Sequence, residues 1–314
     1  MQISRPSEPS EGLLFSALCG ANAADGLRTA FANAVRNPLT NAVGYQMMEV
    51  PQGNSIFTVT FEDVGGNGYK FTDIAVVNEN GQEFDDKTSG GVGRLRDKLT
   101  CQKMDFTSGG LISKSYKYTT QIPTGLTEMN GWKYDGSPIK DMTPEEQATH
   151  VFSNGEAIYI KNSEKTAKVF LRFNGQVSLK PMSFELTKGN VLIGNMTPVP
   201  VAIKDIKVGK FIEDAFVEYD DKTSGGIGRL RDKITCQKMD LETGGLISTS
   251  YKYTTQIPTG KSEMNGWKYD GTPIKDMTEE EQAKHVLNPG EGFYLKYSDA
   301  SLSAWLKFPE PVSK

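Results

Sequence analysis

Apolar and polar residues alternate over much of this chain. Phe57, Val59 and Phe61 are separated by Thr58 and Thr60, the two-residue period of a strand with one buried and one wet face. Tyr116, Tyr118 and Ile122 share a face against Lys117 and Thr119, and Ile158 with Ile160 and Leu171 with Phe173 repeat the pattern. Turn chemistry punctuates these runs. Pro51-Gln52-Gly53-Asn54 joins Gly44 to Val50 with Ile56 to Phe61, and Lys188-Gly189-Asn190 joins Met182 to Leu186 with Val191 to Gly194. Third strands are predicted over Phe71 to Val77 and Ile203 to Val208. A Gly-rich loop, Thr88 to Gly93, precedes a predicted strand over Arg94 to Met104. Trp132 to Tyr134 runs into Asp135-Gly136, a turn signal. One short helix is predicted in each half. Thr143-Pro144-Glu145-Glu146 offers an N-cap, Pro at the first helical position and Glu at the third, with an end near His150 or Val151.

The pattern occurs twice. Asp85 to Lys161 and Asp220 to Lys296 align without a gap at a constant offset, and roughly three-quarters of their positions are identical. Phe293 with Leu295, and Leu306 with Phe308, repeat the last two apolar pairs. The reading is an all-β fold with minor α: two homologous β-sandwich or small-barrel domains in tandem, each with one short helix. Residues 1–40 form an N-terminal extension, 41–176 the first repeat and 177–314 the second. Before Asp85 the copies are barely alike. After it even exposed-looking residues such as Lys103, Lys117 and Glu128 are shared. A recent duplication or gene-conversion tract explains this better than a surface kept for a common partner, because the boundary is abrupt.

Composition narrows the function. The 32 Gly, 12 Tyr and 15 Phe favour strands and tight turns. A net charge of −4 argues against a nucleic-acid partner, which needs a strong positive field. No apolar run reaches bilayer length, so no membrane span is expected. Cys101 and Cys236 are repeat equivalents and read as small buried thiols. Leu13 to Leu18, followed by Ala21-Asn22-Ala23, resembles a secretory leader, although Glu8 and Glu11 precede it and Asp25 to Arg36 also fits an amphipathic helix.

Candidate chemistry is thin. Trp132, Tyr134 and Asp135 recur as Trp267, Tyr269 and Asp270; aromatic rings beside a carboxylate suit a sugar surface, and a core Trp followed by a turn suits the same residues. Arg94, Arg96 and Lys98, repeated as Arg229, Arg231 and Lys233, would make basic stripes able to hold acidic glycans, or solvated faces balanced by Asp85, Asp86, Asp97 and Asp105. Phe170 and Trp305 take equivalent outward positions on the last strand and could line a domain or subunit contact. His150 and His285 sit near the helix end, where a cation suits the dipole. Their spacing forms no zinc motif, and no phosphate loop, nucleophile elbow or cofactor signature occurs. No catalytic residue, metal or cofactor is expected.

Asn41-Ala42-Val43-Gly44-Tyr45, Val50-Pro51 with Gly53, Phe57 and a closing Gly290-Glu291-Gly292-Phe293-Tyr294 resemble a group of uncharacterised secreted bacterial tandem β-domain proteins. The first repeat departs from it at Gly155-Glu156-Ala157-Ile158-Tyr159. The resemblance implies export and a non-enzymatic role outside the cell, and it carries no site residues. The expectation is a secreted or cell-surface structural or adhesive protein, with partners limited to glycan or a second copy. The alternative is a carbohydrate-binding module; a virion or filament subunit and a carbohydrate-active enzyme are more remote.

Overall fold

The computed structural model describes residues 15–16, 43–62, 69–84, 95–105, 110–120, 131–152, 155–177, 182–219, 231–240, 243, 245–255, 266–299 and 303–310. The chain is mostly strand, with antiparallel sheets and two short helices. In the first half the strands of three residues or more are β1 (Val43–Val50), β2 (Gly53–Thr58), β3 (Ala75–Val77), β4 (Arg96–Gln102), β5 (Tyr116–Thr119), β6 (Gly131–Tyr134), β7 (Ala157–Asn162) and β8 (Val169–Val177). The second half has β9 (Ser183–Leu186), β10 (Gly189–Gly194), β11 (Lys207–Ile212), β12 (Ala215–Glu218), β13 (Arg231–Asp240), β14 (Tyr251–Thr254), β15 (Gly266–Tyr269), β16 (Gly292–Tyr297) and β17 (Ala304–Lys307). The helices are α1 (Pro144–Gln147) and α2 (Glu279–Gln282).

Each half pairs its strands into two sheets. The inner sheet runs β6-β5-β4-β7-β2 in the first half and β15-β14-β13-β16-β10 in the second. The outer sheet is β1-β8 with β3 also on β8, matched by β9-β17-β11-β12. Phe15–Ser16 adds in parallel to β1 opposite Gly44 and Tyr45; the rest of the leader-like run and the alternative helix lie outside the described residues. A buried cluster fills the space between the sheets of each half, as a sandwich requires. Phe71 stacks on Tyr116 at 3.7 Å and on Phe152 at 4.3 Å. Ile203 and Leu287 hold the corresponding places in the second half.

Several expectations change. Phe71–Asp73 and Ile203–Asp205 are single 3-10 turns that lead into β3 and β11, rather than strands. Each turn is closed by the N–H of the following residue bonding back to its first carbonyl. The capping box forms as predicted, with Thr143 Oγ1 accepting from Glu146 N and Thr143 N donating to the Glu146 carboxylate at 2.9 Å. The α-helix nevertheless ends at Gln147, short of His150. Thr58 and Thr60 are buried along with Phe57, Val59 and Phe61. Simple alternation fails there because Thr58 donates to Glu156 O and lies against Gly194 of the other half, while Thr60, beyond β2, donates to the Gln46 side chain of β1.

Candidate functional site

The two halves meet through their inner sheets, and the contact is self-complementary. Thr58 N donates to Gly290 O at 2.9 Å, and Gly194 N donates to Gly155 O at 3.3 Å. Thr58 and Gly194 each end their strand, and Gly155 and Gly290 are repeat equivalents. The isolated bridges Phe57 to Glu291 and Glu156 to Ile193 follow the same exchange. This is the reciprocity of an isologous two-fold interface, here formed within one chain. Ile56, Met104 and Ala157 pack on Leu192 at its centre, with Tyr159, Met239 and Tyr294 around them.

The interface is symmetric in backbone but not in side chains. A Cβ at Gly194 would fall 2.3 Å from Thr58 Cγ2, and one at Gly292 would fall 2.5 Å from Ile56 Cγ2 and 3.0 Å from Ala157 Cβ. Larger side chains of the first half therefore meet glycines of the second. Replacing Gly292 by the Ala of its equivalent position would overpack this seam.

An ion pair backs each crossing point. Lys103 Nζ lies 3.0 Å from Glu156 Oε1 and donates to Val151 O at 2.8 Å. Lys238 Nζ lies 2.6 Å from Glu291 Oε1 and donates to Val286 O at 3.0 Å. Beside each pair, Tyr116 and Tyr251 contact Nδ1 of His150 and His285 at 3.2 and 3.1 Å, with Tyr134 and Tyr269 against the imidazole rings. Burial pushes both histidines below their ordinary pKa, and the neighbouring lysines push the same way. Burial likewise raises Tyr116 and Tyr251. Burial and the lysines thus favour neutral imidazoles in this polar seam. Their rings sit among tyrosines because β5 and β6 bring those residues to the end of the helical segment.

A cleft of ≈ 410 Å³ opens beside the Lys238–Glu291 pair, where β1 and β2 face the segment before β16. Met48, Ile56, Phe57, Met239 and Pro289 supply apolar walls, and Glu49, Ser55, Lys238, Asn288 and Glu291 add polar and charged groups.

The residues singled out in the sequence lie elsewhere. Trp132 and Trp267 are only 4% and 3% exposed. Their indole N–H groups donate to Ile74 O at 2.9 Å and Ile206 O at 2.7 Å, and Tyr118 and Tyr253 pack edge-on against them. They present no free ring face, whereas Tyr134 and Tyr269 are half-buried and Asp135 and Asp270 are exposed. Asp135 and Asp270 take positive φ with Gly136 and Gly271, forming tight hairpin turns. The strands that carry the basic residues are bulged: Tyr118 pairs with Leu99 while Thr119 pairs with Arg96, and Tyr253 pairs with Ile234 while Thr254 pairs with Arg231. Lys98 is tied to Glu164 at 2.5 Å, Lys233 is half-buried, and Arg94 and Arg229 lie outside the described residues. Cys101 and Cys236 are free and buried, and burial raises both thiols well above the usual value.

Sequence reasoning missed the junction residues. The Gly-Glu pairs at 155–156 and 290–291 were visible as a repeated signature before the closing strand, but nothing local says that they cross to the other half. Among the described residues no group of metal-ligating side chains gathers, and no helix is long and apolar enough to cross a membrane. No family profile, curated protein or solved structure matches the chain.

Proposed function

We propose that the chain is an exported, non-enzymatic structural or adhesive unit that works by presenting the outer sheet of its second half to a second copy. The observation carrying this reading is the β11–β12 hairpin. Phe211 and Ile212 are 40% and 44% exposed at its end, and Val217 stands out on the edge strand. Phe211 packs edge-on against Phe216 at 5.4 Å and Trp305 at 5.1 Å. An apolar edge of this kind favours strand pairing between chains. Export is supported by the leader-like run and by the resemblance to secreted tandem β-domain proteins.

Light scattering and negative-stain imaging on the full chain test this directly. A defined oligomer or filament is expected, and Val217→Lys on the edge strand should dissolve it while leaving the melting temperature nearly unchanged. A monomer at all concentrations, indifferent to Val217→Lys, would overturn the reading.

A further inference from the structure

The free edge of β12 is complementary to itself. Tyr219 N donates to Val208 O at 2.9 Å, and the register opposes Lys210 to Val217 and Ile212 to Ala215. Hydrogen-bonded pairs alternate along an antiparallel ladder, so Val217 turns its N–H and C=O towards β11. Phe216 and Glu218 turn theirs away. β12 ends its sheet, and among the described residues no strand pairs with that side. Ala215, Val217 and Glu218 are exposed. Val208 and Tyr219 are buried, so Ala215 and Val217 continue the core face of the sheet. Phe216 and Glu218 lie on the outer face. There Lys207 Nζ is 3.3 Å from Glu218 Oε2, and Lys307 Nζ stands 5.3 Å from the centre of the Phe216 ring.

We infer that a second copy binds here through its own β12, antiparallel, on a two-fold axis at Val217. This rests on the self-association proposed above and names its contact. In that register Phe216 opposes the partner's Glu218, and the outward N–H and C=O groups of these residues bond across the axis. Val217 meets the partner's Val217 in the close, non-hydrogen-bonded position between the two bonded pairs. Charge supports the same register. The partner's Glu218 arrives beside Phe216 and Lys307, so each copy sets an ammonium against the other's carboxylate. The other symmetric register with matching faces puts Phe216 on the partner's Phe216, and it sets Asp214 directly against the partner's Glu218, a like-charge pair. A one-residue slip would put the core face of one copy beside the outer face of the other. The two outer sheets join into one, and the contact closes at two copies because it is isologous.

The test uses the full chain with Cys19 replaced by Ser and a single cysteine added to β12. Cys101 and Cys236 are buried and stay out of the reaction. Val217→Cys should cross-link two copies rapidly under mild oxidation, because its paired Cα atoms lie within disulfide reach. Glu218→Cys, equally open to solvent, should cross-link far more slowly, because its copies are offset along the pair by two positions and lie beyond about 7 Å. Light scattering should give twice the chain mass and no larger species. Lys307→Glu should weaken the dimer about tenfold at low salt. In the wild-type chain the Phe216 and Glu218 amides should become slow to exchange as concentration rises through the dimer midpoint. Association with equal cross-linking at the two positions, or with those amides still fast, would overturn the inference and leave self-association standing. So would open-ended filaments. A monomer at all concentrations would overturn both. The exchange measurement needs no variant, so it decides the question even if a substitution prevents folding.

Discussion

On the outer sheet of the first half, Arg172 donates to Gly81 O at 3.0 Å and to Glu83 at 2.9 Å, holding residues 78–83 against the face where Phe170 lies buried. On the outer sheet of the second half, the equivalent of Phe170 is Trp305, which remains half-exposed beside Phe211 and Phe216. The chain leaves and re-enters both sheets at matching points. Phe84 N bonds Val76 O, and Tyr219 N bonds Val208 O. Only the connection between those points differs. Residues 77–83 fold back over the sheet, whereas the longer 209–218 extend it as a hairpin around Glu213 and Asp214, both at positive φ. The same framework thus makes a closed face in one half and an edge with exposed apolar side chains in the other. The proposed self-association would therefore run through the second half, since the first is capped by its own loop. Phe170, expected as a contact residue, is withdrawn from contact by this loop.

The comparison can be broken or sharpened by experiment. The largest effect is expected in the part the halves share. Trp132→Ala and Trp267→Ala should each cost about 3–5 kcal/mol in denaturant unfolding, because each removes a large core side chain and its buried hydrogen bond. Similar losses in both would locate the difference between the halves outside their cores. A loss of glycan affinity with stability intact would instead return the sugar-surface reading.

Arg172→Ala should cost less, about 1–3 kcal/mol, because it removes charge-assisted bonds that are partly exposed. Its informative readout is hydrogen exchange at Val77 and Phe84 together with dye binding. Faster exchange and new dye binding at the first half would mean that the loop alone makes the two faces different. Unchanged exchange would mean that Phe170 is buried without it.

The smallest effect is on pH dependence. Both histidines have folded pKa values below the ordinary 6.5, so the unfolded chain binds more protons below that pH. Stability should be level above pH 6.5 with respect to these groups and decline as pH falls below it, ceasing to change once the folded values are passed. His285 also faces Lys284, where the first half has Thr149. Replacing either His285 or His150 by Gln should flatten the pH profile, as measured by melting temperature between pH 7 and 5. A profile unchanged by either replacement would show that the histidines do not set it.

The junction also revises the reading of the near-identical tract. Lys103 looked like a neutral surface residue copied along with the rest, yet its ammonium is held by Glu156 and Val151 O, and Lys238 is held the same way. Part of that tract supports the contact between the halves, a role that applies twice in one chain. By contrast, the side chains fitted to one another across the seam, Thr58 against Gly194 and Ala157 against Gly292, differ between the copies. Two identical halves would place the larger residue on both sides of the seam.

Strand periodicity, turn residues and the capping box were legible because each depends on neighbours close in sequence. The all-β class, the Asp-Gly turns, the N-caps at Thr143 and Thr278 and the burial of the Ile158–Ile160 and Leu171–Phe173 pairs all follow from that local pattern. The double burial of Thr58 and Thr60, the bulges opposite Thr119 and Thr254 and the withdrawal of both tryptophans into the core depend on residues far away along the chain. The cleft depends on a still longer relation, since Met48 and Gly290 come together only when the two halves dock. A sequence records which side chains can share a face, and only the packed chain decides what that face meets.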